Sequence, residues 1–165
     1  MKALVPPGEA ARIDALREYR ILDTLPEQEF DNLTLLAAQV CGTPVALATF
    51  VDEDRQWFKS KVGLEESESP REVAFCAHAI GQSGLFVVPD VLADERFADN
   101  PLVTSEPHIR FYAGAPLITP EGHTLGTLCV IDRVPRELTP GQEEALRALS
   151  RQVMTQLELR RQSAR

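Results

Sequence analysis

The sequence predicts an α+β domain, an antiparallel β-sheet packed against helices, and three observations carry that prediction. First, residues 110–132, RFYAGAPLITPEGHTLGTLCVID, hold two apolar runs around a Thr119-Pro120-Glu121-Gly122 turn, where Pro presets the first turn dihedral and Gly accepts a positive φ. Second, both runs of this hairpin (111–118 and 124–131) are apolar at both parities: Tyr112, Gly114, Pro116 and Ile118 alternate with Phe111, Ala113, Ala115 and Leu117. A solvated face would show polar residues at every second position, so the hairpin belongs mid-sheet with one face on the core and the other open to a ligand pocket. Third, helical periodicities bracket the strand-like segments at both ends of the chain.

Taken in order, residues 9–19 carry Ile13 and Leu16 at helical spacing. Thr24 with Glu27 three positions later is a capping-box pattern with Pro26 tolerated in the first turn. It predicts a helix from about residue 26 to 41 that buries Phe30, Leu33, Leu36, Ala37 and Val40 and stops at Gly42. Residues 44–51 are β-rich, 52–54 a polar turn, and 55–62 a strand in which Gln56, Phe58, Ser60 and Val62 alternate with Trp57, Lys59 and Lys61, giving an edge-like hairpin. Residues 64–71 read as a loop and 73–80 as a short helix; Gly81 and Gly84 bracket a turn before a strand at 85–88. Residues 90–107 form a long polar loop anchored by Val91, Phe97, Leu102 and Val103, with a helical turn at each end, and long ordered loops are usually functional. The final helix opens on a second capping box, Thr139 with Gln142. It repeats Leu146, Leu149, Val153 and Leu157, runs to Leu159 and frays into the cations of 160–165.

At 165 residues, 44% apolar and 25% charged, the chain is expected to be one domain at 9–160, with a flexible stretch at 1–8 and a tail at 161–165. A net charge of -8 argues against nucleic acid and anionic membranes as partners, since both select clustered cations. No apolar run approaches the roughly 18 residues of a membrane span, and the N-terminal apolar stretch is too short for a signal peptide, so a cytoplasmic location is expected. Cys41, Cys76 and Cys129 are odd in number and far apart, which fits neither a disulfide framework nor a structural metal.

Five segments, in this order, resemble the GAF domain family of sensory modules over about residues 9–159. They are EYRILDTLPEQEFDNLTLLAAQVC (18–41), VDEDRQWFKS (51–60), FCAHAI (75–80), VPDVLADERFADNPLV (88–103), and RFYAGAPL (110–117) with GTLCVID (126–132). The set is similar to the bacterial branch that sits in front of histidine kinase or diguanylate cyclase output domains. The resemblance implies a six-stranded antiparallel sheet with N- and C-terminal helices on one face. A short helix and the long loop would cover a pocket on the other, where relatives hold small molecules. It also implies a homodimer through the terminal helices, with Leu146, Leu149, Val153 and Leu157 as the seam, although packing on the chain's own sheet explains the same stripe.

Against that frame the ligand-pocket candidates are Trp57, Cys76, His78, Arg96, Phe97, Arg110, Phe111 and Tyr112. Arg96 or Arg110 would pair with an anionic ligand between walls of Phe97, Trp57, Phe111 and Tyr112; the blander reading of Asp90, Asp94 and Asn100 is turns and local salt bridges. Cys76 and His78, two apart on a helix, cannot easily grip one ion, so a core cysteine and a pocket-lining or capping histidine are expected, with no metal and no catalytic residue. Cys129 reads as a small buried residue. The free methionine-R-sulfoxide reductase branch needs a second pocket cysteine, and residues 107–112, PHIRFY, supply none. No cofactor motif is complete: bilin attachment favours Cys-His where Cys76 precedes Ala77, the cyclic-nucleotide signature lacks its Asn-Lys start, and haem would need His78 or His108. The expectation is a non-enzymatic sensor passing ligand occupancy to a kinase or cyclase output partner. The alternatives are a dimerisation scaffold whose pocket is collapsed by Phe97, Phe111 and Trp57, and the reductase.

Overall fold

The computed structural model describes residues 5–163; the readings made for residues 1–4 and 164–165 lie outside the described residues. The sheet forms as the hairpin pattern requires, with six strands: β1 (Val45–Val51), β2 (Arg55–Val62), β3 (Glu68–Pro70), β4 (Phe86–Val88), β5 (Phe111–Ile118) and β6 (Thr124–Asp132). All neighbours are antiparallel in the spatial order β3-β2-β1-β6-β5-β4. The β5–β6 hairpin lies inside the sheet and is buried along nearly its whole length. Its tip closes through Thr119 N–H to the His123 carbonyl at 2.8 Å.

Two corrections concern the other hairpin. The β1–β2 pair is not an edge: β1 is buried throughout and sits between β2 and β6, because residues 64–71, expected as loop, supply the outer strand β3. A bulge between Ala48 and Thr49 skips Lys59 in the β1–β2 register. The Lys59 side chain is fully buried and stays on the side of Trp57, over the Phe30 ring at 5.5 Å.

One face of the sheet carries α1 (Glu9–Glu18), α2 (Gln28–Cys41) and α5 (Pro140–Ser163), which enclose the larger core: Phe30, Phe50, Phe111, Leu117, Leu128, Leu146, Val153 and Leu157 among others. α5 begins as its capping box predicts: Gln142 N–H donates to Thr139 Oγ1 at 3.1 Å and Thr139 N–H to Gln142 Oε1 at 2.9 Å. The equivalent prediction for α2 fails. Thr24 Oγ1 donates instead to the Ile21 carbonyl, Glu27 is spent on cations, and the helix starts at Gln28. Of the expected stripe, α2 buries Phe30 and Ala37 and packs Leu33 against the core, but Leu36 and Val40 are exposed and Thr34, Ala38 and Cys41 are buried instead. Small residues at these positions let the helix approach the sheet closely, which outweighs the larger side chains beside them. Gly42, at φ 68, ends the helix in the left-handed region as its position predicts.

At its far end α5 continues past Leu159 to Ser163 where fraying was expected. Arg160 donates to Glu27 at 2.8 Å and to the carbonyls of Tyr19 and Arg20; Arg161 lies over the Tyr19 ring; and the Tyr19 hydroxyl donates to Glu158. The stripe assigned to a dimer seam is consumed within the chain. Leu146, Val153 and Leu157 are fully buried in the helix-side core and Leu149 packs against it, while Leu159 is exposed.

Candidate functional site

The other face of the sheet holds a smaller core beneath a thin cover. Strand alternation decides what points there: Val45, Leu47, Thr49 and Val51 from β1, Tyr112 from β5, and Thr127, Cys129 and Ile131 from β6. Above them sits α3 (Phe75–Ala79), one short helix with a 3₁₀ turn before it (Arg71–Val73) where a helix over 73–80 was expected. The loop 90–107 has the expected turn at each end, a 3₁₀ turn at Val91–Ala93 and α4 (Pro101–Thr104).

At the centre of this face, five polar side chains meet out of contact with water. Cys76 Sγ lies 3.0 Å from the Tyr112 hydroxyl and 2.9 Å from Thr127 Oγ1. Thr127 N–H donates to Thr49 Oγ1 at 3.2 Å, and Thr49 Oγ1 donates to the Thr127 carbonyl at 3.3 Å. The Thr127 hydroxyl also lies 3.2 Å from Thr49 Oγ1 and 3.4 Å from the Tyr112 hydroxyl, so the Cys76 thiol and these hydroxyls form one buried network in which each group can donate or accept. Burial pushes the Cys76 thiol up, but its polar neighbours Cys129, Thr127, Thr49 and Tyr112 outweigh burial and hold it below the ordinary thiol value, at about 7. Burial, and the charge that Cys76 then carries, push Cys129 and Tyr112 well up. Gly114 makes room for this arrangement, since a Cβ there would collide with the Tyr112 hydroxyl.

The cover is aromatic. Phe97, fully buried although it comes from the loop, stacks on Phe75 with centroids 4.3 Å apart and 6° between planes; the His78 ring meets it edge-on at 4.7 Å. Tyr112 and Phe86 close the sides. These rings lie beneath residues 90–107, where the sequence predicted a ligand.

The two candidate arginines are engaged within the fold. Arg96 grips Asp94 through Nε at 3.0 Å and Nη2 at 2.6 Å while lying over the Phe86 and Phe97 rings; its guanidinium holds the Asp94 carboxyl below the ordinary range. Arg110 donates to the carbonyls of Val103 at 2.8 Å and Ile109 at 3.0 Å, fastening the end of the loop. Asp90 and Asn100 cap the two turns, as the blander reading held, and Asn100 also donates to the Val73 carbonyl at 3.0 Å, tying loop to cover.

Of the eight pocket candidates, this side therefore assembles Cys76, His78, Arg96, Phe97 and Tyr112, with Arg110 at the loop end. Trp57 and Phe111 are corrections: both belong to the helix-side core. Phe111 could have been assigned from the sequence, because adjacent strand residues face opposite ways and Tyr112 cannot share its side. Thr49, Thr127 and Cys129 were missed as a group. Their signal was present in polar or thiol residues at one parity of otherwise apolar strands. His108, the other haem candidate, sits partly exposed 3.7 Å from Glu106. Among the described residues no three His, Cys, Asp or Glu side chains converge to hold a metal ion, and no helix is long and apolar enough to cross a membrane.

A six-stranded antiparallel sheet with helices on one face and a short helix plus loop on the other is the architecture that the resemblance implied, and the GAF domain family model matches residues 25–157. The chain belongs to the GAF domain family. A cyclic di-GMP phosphodiesterase of Pseudomonas aeruginosa is 45% identical to this GAF domain over 131 residues, which is 79% of the chain and 22% of that protein. The chain thus spans about a fifth of that relative. Among solved structures, free methionine-R-sulfoxide reductase from Neisseria meningitidis superposes with a TM-score of 0.66 at 18% identity, covering 99% of this chain and 98% of that one. The PixJ GAF domain of Thermosynechococcus elongatus, in its blue-light absorbing form, gives 0.62 at 14% identity, covering 92% and 94%. At these identities the likeness is one of fold, shared by an enzyme and a photoreceptor alike.

Proposed function

We propose that this GAF domain is a non-catalytic, cytoplasmic regulatory module. Its thinly covered side takes a small molecule, and its terminal helices pass occupancy to an output domain. The observation that carries this reading is the polar floor of Thr49, Cys76, Tyr112, Thr127 and Cys129 beneath a cover one loop side chain deep. A face serving packing alone would be filled by aliphatic residues, and a buried polar cluster is costly unless something uses it. Phe97 is the plug: a ligand enters only by displacing it from Phe75, so binding and movement of the loop are one event. An anionic ligand would draw Arg96, 40% exposed, away from Asp94. The likeness to a cyclic di-GMP phosphodiesterase of Pseudomonas supports cyclic di-GMP turnover as the output.

The route to the output runs through the end of α5, where Arg160 and Lys59 of β2 share Glu27. A homodimer would cover Leu35, Leu36 and Val40 of α2 with Leu159 of α5, all exposed in the single chain, and not the buried stripe. Light scattering at high micromolar concentration tests it: a monomer removes the dimer from the proposal.

The second reading, a scaffold with a collapsed pocket, is favoured by one observation, the close Phe75–Phe97 stack where a ligand would sit. Native mass spectrometry of the protein purified from its own cytoplasm separates the two. A small bound anion is expected; a bare protein, with no thermal shift in metabolite extract, decides for the scaffold. The reductase reading predicts NADPH consumption with thioredoxin and free methionine-R-sulfoxide, and none is expected.

A further inference from the structure

A cavity that the lid side does not use lies at the rim of the sheet beside α5, and a short strand creates it. β4 pairs with β5 only from Phe86 opposite Gly114 to Val88 opposite Tyr112, so the pairing ends where β5 still has four residues to run. The chain ahead of β4 turns away through Ser83 and Gly84, while α5 packs against β5. Turn, strand and helix together enclose a cavity of about 370 Å³, toward the small end of the range of about 300 to 1,000 Å³ in which small molecules are bound.

Its lining has two chemistries. Leu85, Pro116, Ile118 and Met154 give an apolar floor, and Arg147 and Arg151, four apart on α5 and so on one face of it, stand along one side. Their ion pairs differ from those that fasten the fold. Arg96, Arg136 and Arg160 sit 2.6, 2.7 and 2.8 Å from their carboxylates, the separation of a direct charge-assisted hydrogen bond. Arg147 lies 3.9 Å from Glu143 and 3.7 Å from Glu144, and Arg151 lies 3.5 Å from Glu144, with the two arginine side chains 44% and 65% exposed. Pairs this long on side chains this exposed contribute little. Both guanidinium groups can therefore turn to another anion at small cost, and Glu144, shared between them, is a carboxylate.

We propose that this cavity is a second binding site, for a small carboxylate with an apolar body: the head lies between Arg147 and Arg151, and the body on Leu85, Pro116, Ile118 and Met154. Neither half suffices alone. The chain carries a net charge of -8, which repels a bare anion, so burial of the body supplies most of the affinity and the arginines supply the choice of head. The site needs no displacement of Phe97, and it stands whether or not the lid side takes a ligand. Because α5 is one wall and β5 another, an occupant favours the arrangement that holds the two at this spacing.

The test is a backbone-amide NMR titration of the full chain with octanoate and 2-naphthoate, set against acetate, which has the head alone, and 1-octanol, which has the body alone. At least one of the two amphipathic carboxylates is expected to shift the amides of residues 83–85, 117–118 and 147–154, with acetate and octanol much weaker. The double variant Arg147→Gln, Arg151→Gln should weaken that binding on the order of 10-fold, because charge-assisted hydrogen bonds are lost from exposed positions that the fold does not need. Glu144→Gln removes the competing carboxylate and should tighten it. Phe97→Ala should leave the shifts at the rim unchanged, which keeps this site distinct from any on the lid side. No shift with either carboxylate, shifts confined to residues 75–79 and 90–107, octanol binding as tightly as octanoate, or an unchanged affinity in the double arginine variant would each overturn the proposal.

Discussion

The two faces of this sheet are held by different means. On the helix side, three helices seal a core of large aliphatic and aromatic side chains, and charged groups fasten the margin: Lys59 to Glu27 at 2.6 Å, Glu27 to Arg160 at 2.8 Å, and Arg12 and Arg71 to Glu9. On the lid side, one five-residue helix and a loop cover a polar cluster with stacked rings. The difference teaches where motion is affordable. Opening the helix side would strand a buried lysine and expose a whole core, whereas opening the lid side exposes a few rings and hydroxyls that water can satisfy.

The largest expected effect tests that contrast directly. Phe30→Ala on the helix side should cost about 4 kcal/mol in urea denaturation, the range for a fully buried phenylalanine. Phe97→Ala, equally buried, should cost only about 2 kcal/mol, because a loop can collapse into the space left behind. Equal losses would mean that both faces are one rigid core. Amide exchange sharpens the same comparison: α3 and residues 90–107 should exchange at lower free energy than α2 and β1.

Next in size is Glu27→Gln, which leaves Lys59 buried with carbonyl and hydroxyl partners but no counter-charge. The expected loss is about 3 kcal/mol, at the low end for a broken buried pair because Glu27 is 33% exposed. Acid should act on the same fastenings. Burial opposes ionisation of Glu27 and Glu9, but their cations win and hold both carboxyls low, Glu9 at about 2. A depressed carboxyl stabilises the fold above its ordinary value of 4.5 and loses that contribution as pH falls toward its folded value. The urea midpoint should therefore drop between pH 4.5 and about 2. Glu27→Gln should show a smaller drop than wild type; an identical acid profile would remove Glu27 from the fastening.

The smallest effect separates the two capping boxes. Thr139→Ala removes an observed reciprocal cap and should cost about 1 kcal/mol by thermal denaturation. Thr24→Ala removes no cap; its loss should instead shrink in a Lys59→Met background, because the Thr24 hydroxyl accepts from Lys59 at 2.9 Å, and what remains is its bond to the Ile21 carbonyl.

What was legible in the sequence was whatever rests on local periodicity and turn chemistry. The doubly apolar hairpin, the Thr139–Gln142 start of α5, the Gly42 stop and the helical turns at both ends of residues 90–107 all form as the residues require. α2 was misjudged in part: Phe30, Leu33 and Ala37 face the core as read, but Leu36 and Val40 are more hydrophobic than Thr34, Ala38 and Cys41, which fit closer to the sheet and are buried in their place. The choice belongs to tertiary packing, not to propensity. Thr24 and Glu27 spell a cap, yet a buried lysine two strands away in the chain claims both, and no local pattern announces the bulge that buries it. The candidate site was half readable. Cys76, Phe97 and Tyr112 stood out one by one, but their grouping with Thr49, Thr127 and Cys129 depends on the β1–β6 register, which pairing across the sheet decides.

Both outer strands of the sheet are only three residues long, although their neighbours run to eight. β4 therefore leaves residues 115–118 of β5 unpaired on their outer side, at a place where another chain could add itself. Thr127, opposite Pro116, turns its own N–H and carbonyl toward Thr49, so that pair carries no ladder bond and the Pro116 nitrogen faces outward. A proline nitrogen has no proton to offer. This stretch of β5, where an interior strand reaches the rim, is thus a poor template for edge-to-edge stacking: its proline removes a donor from the row that another chain would have to pair.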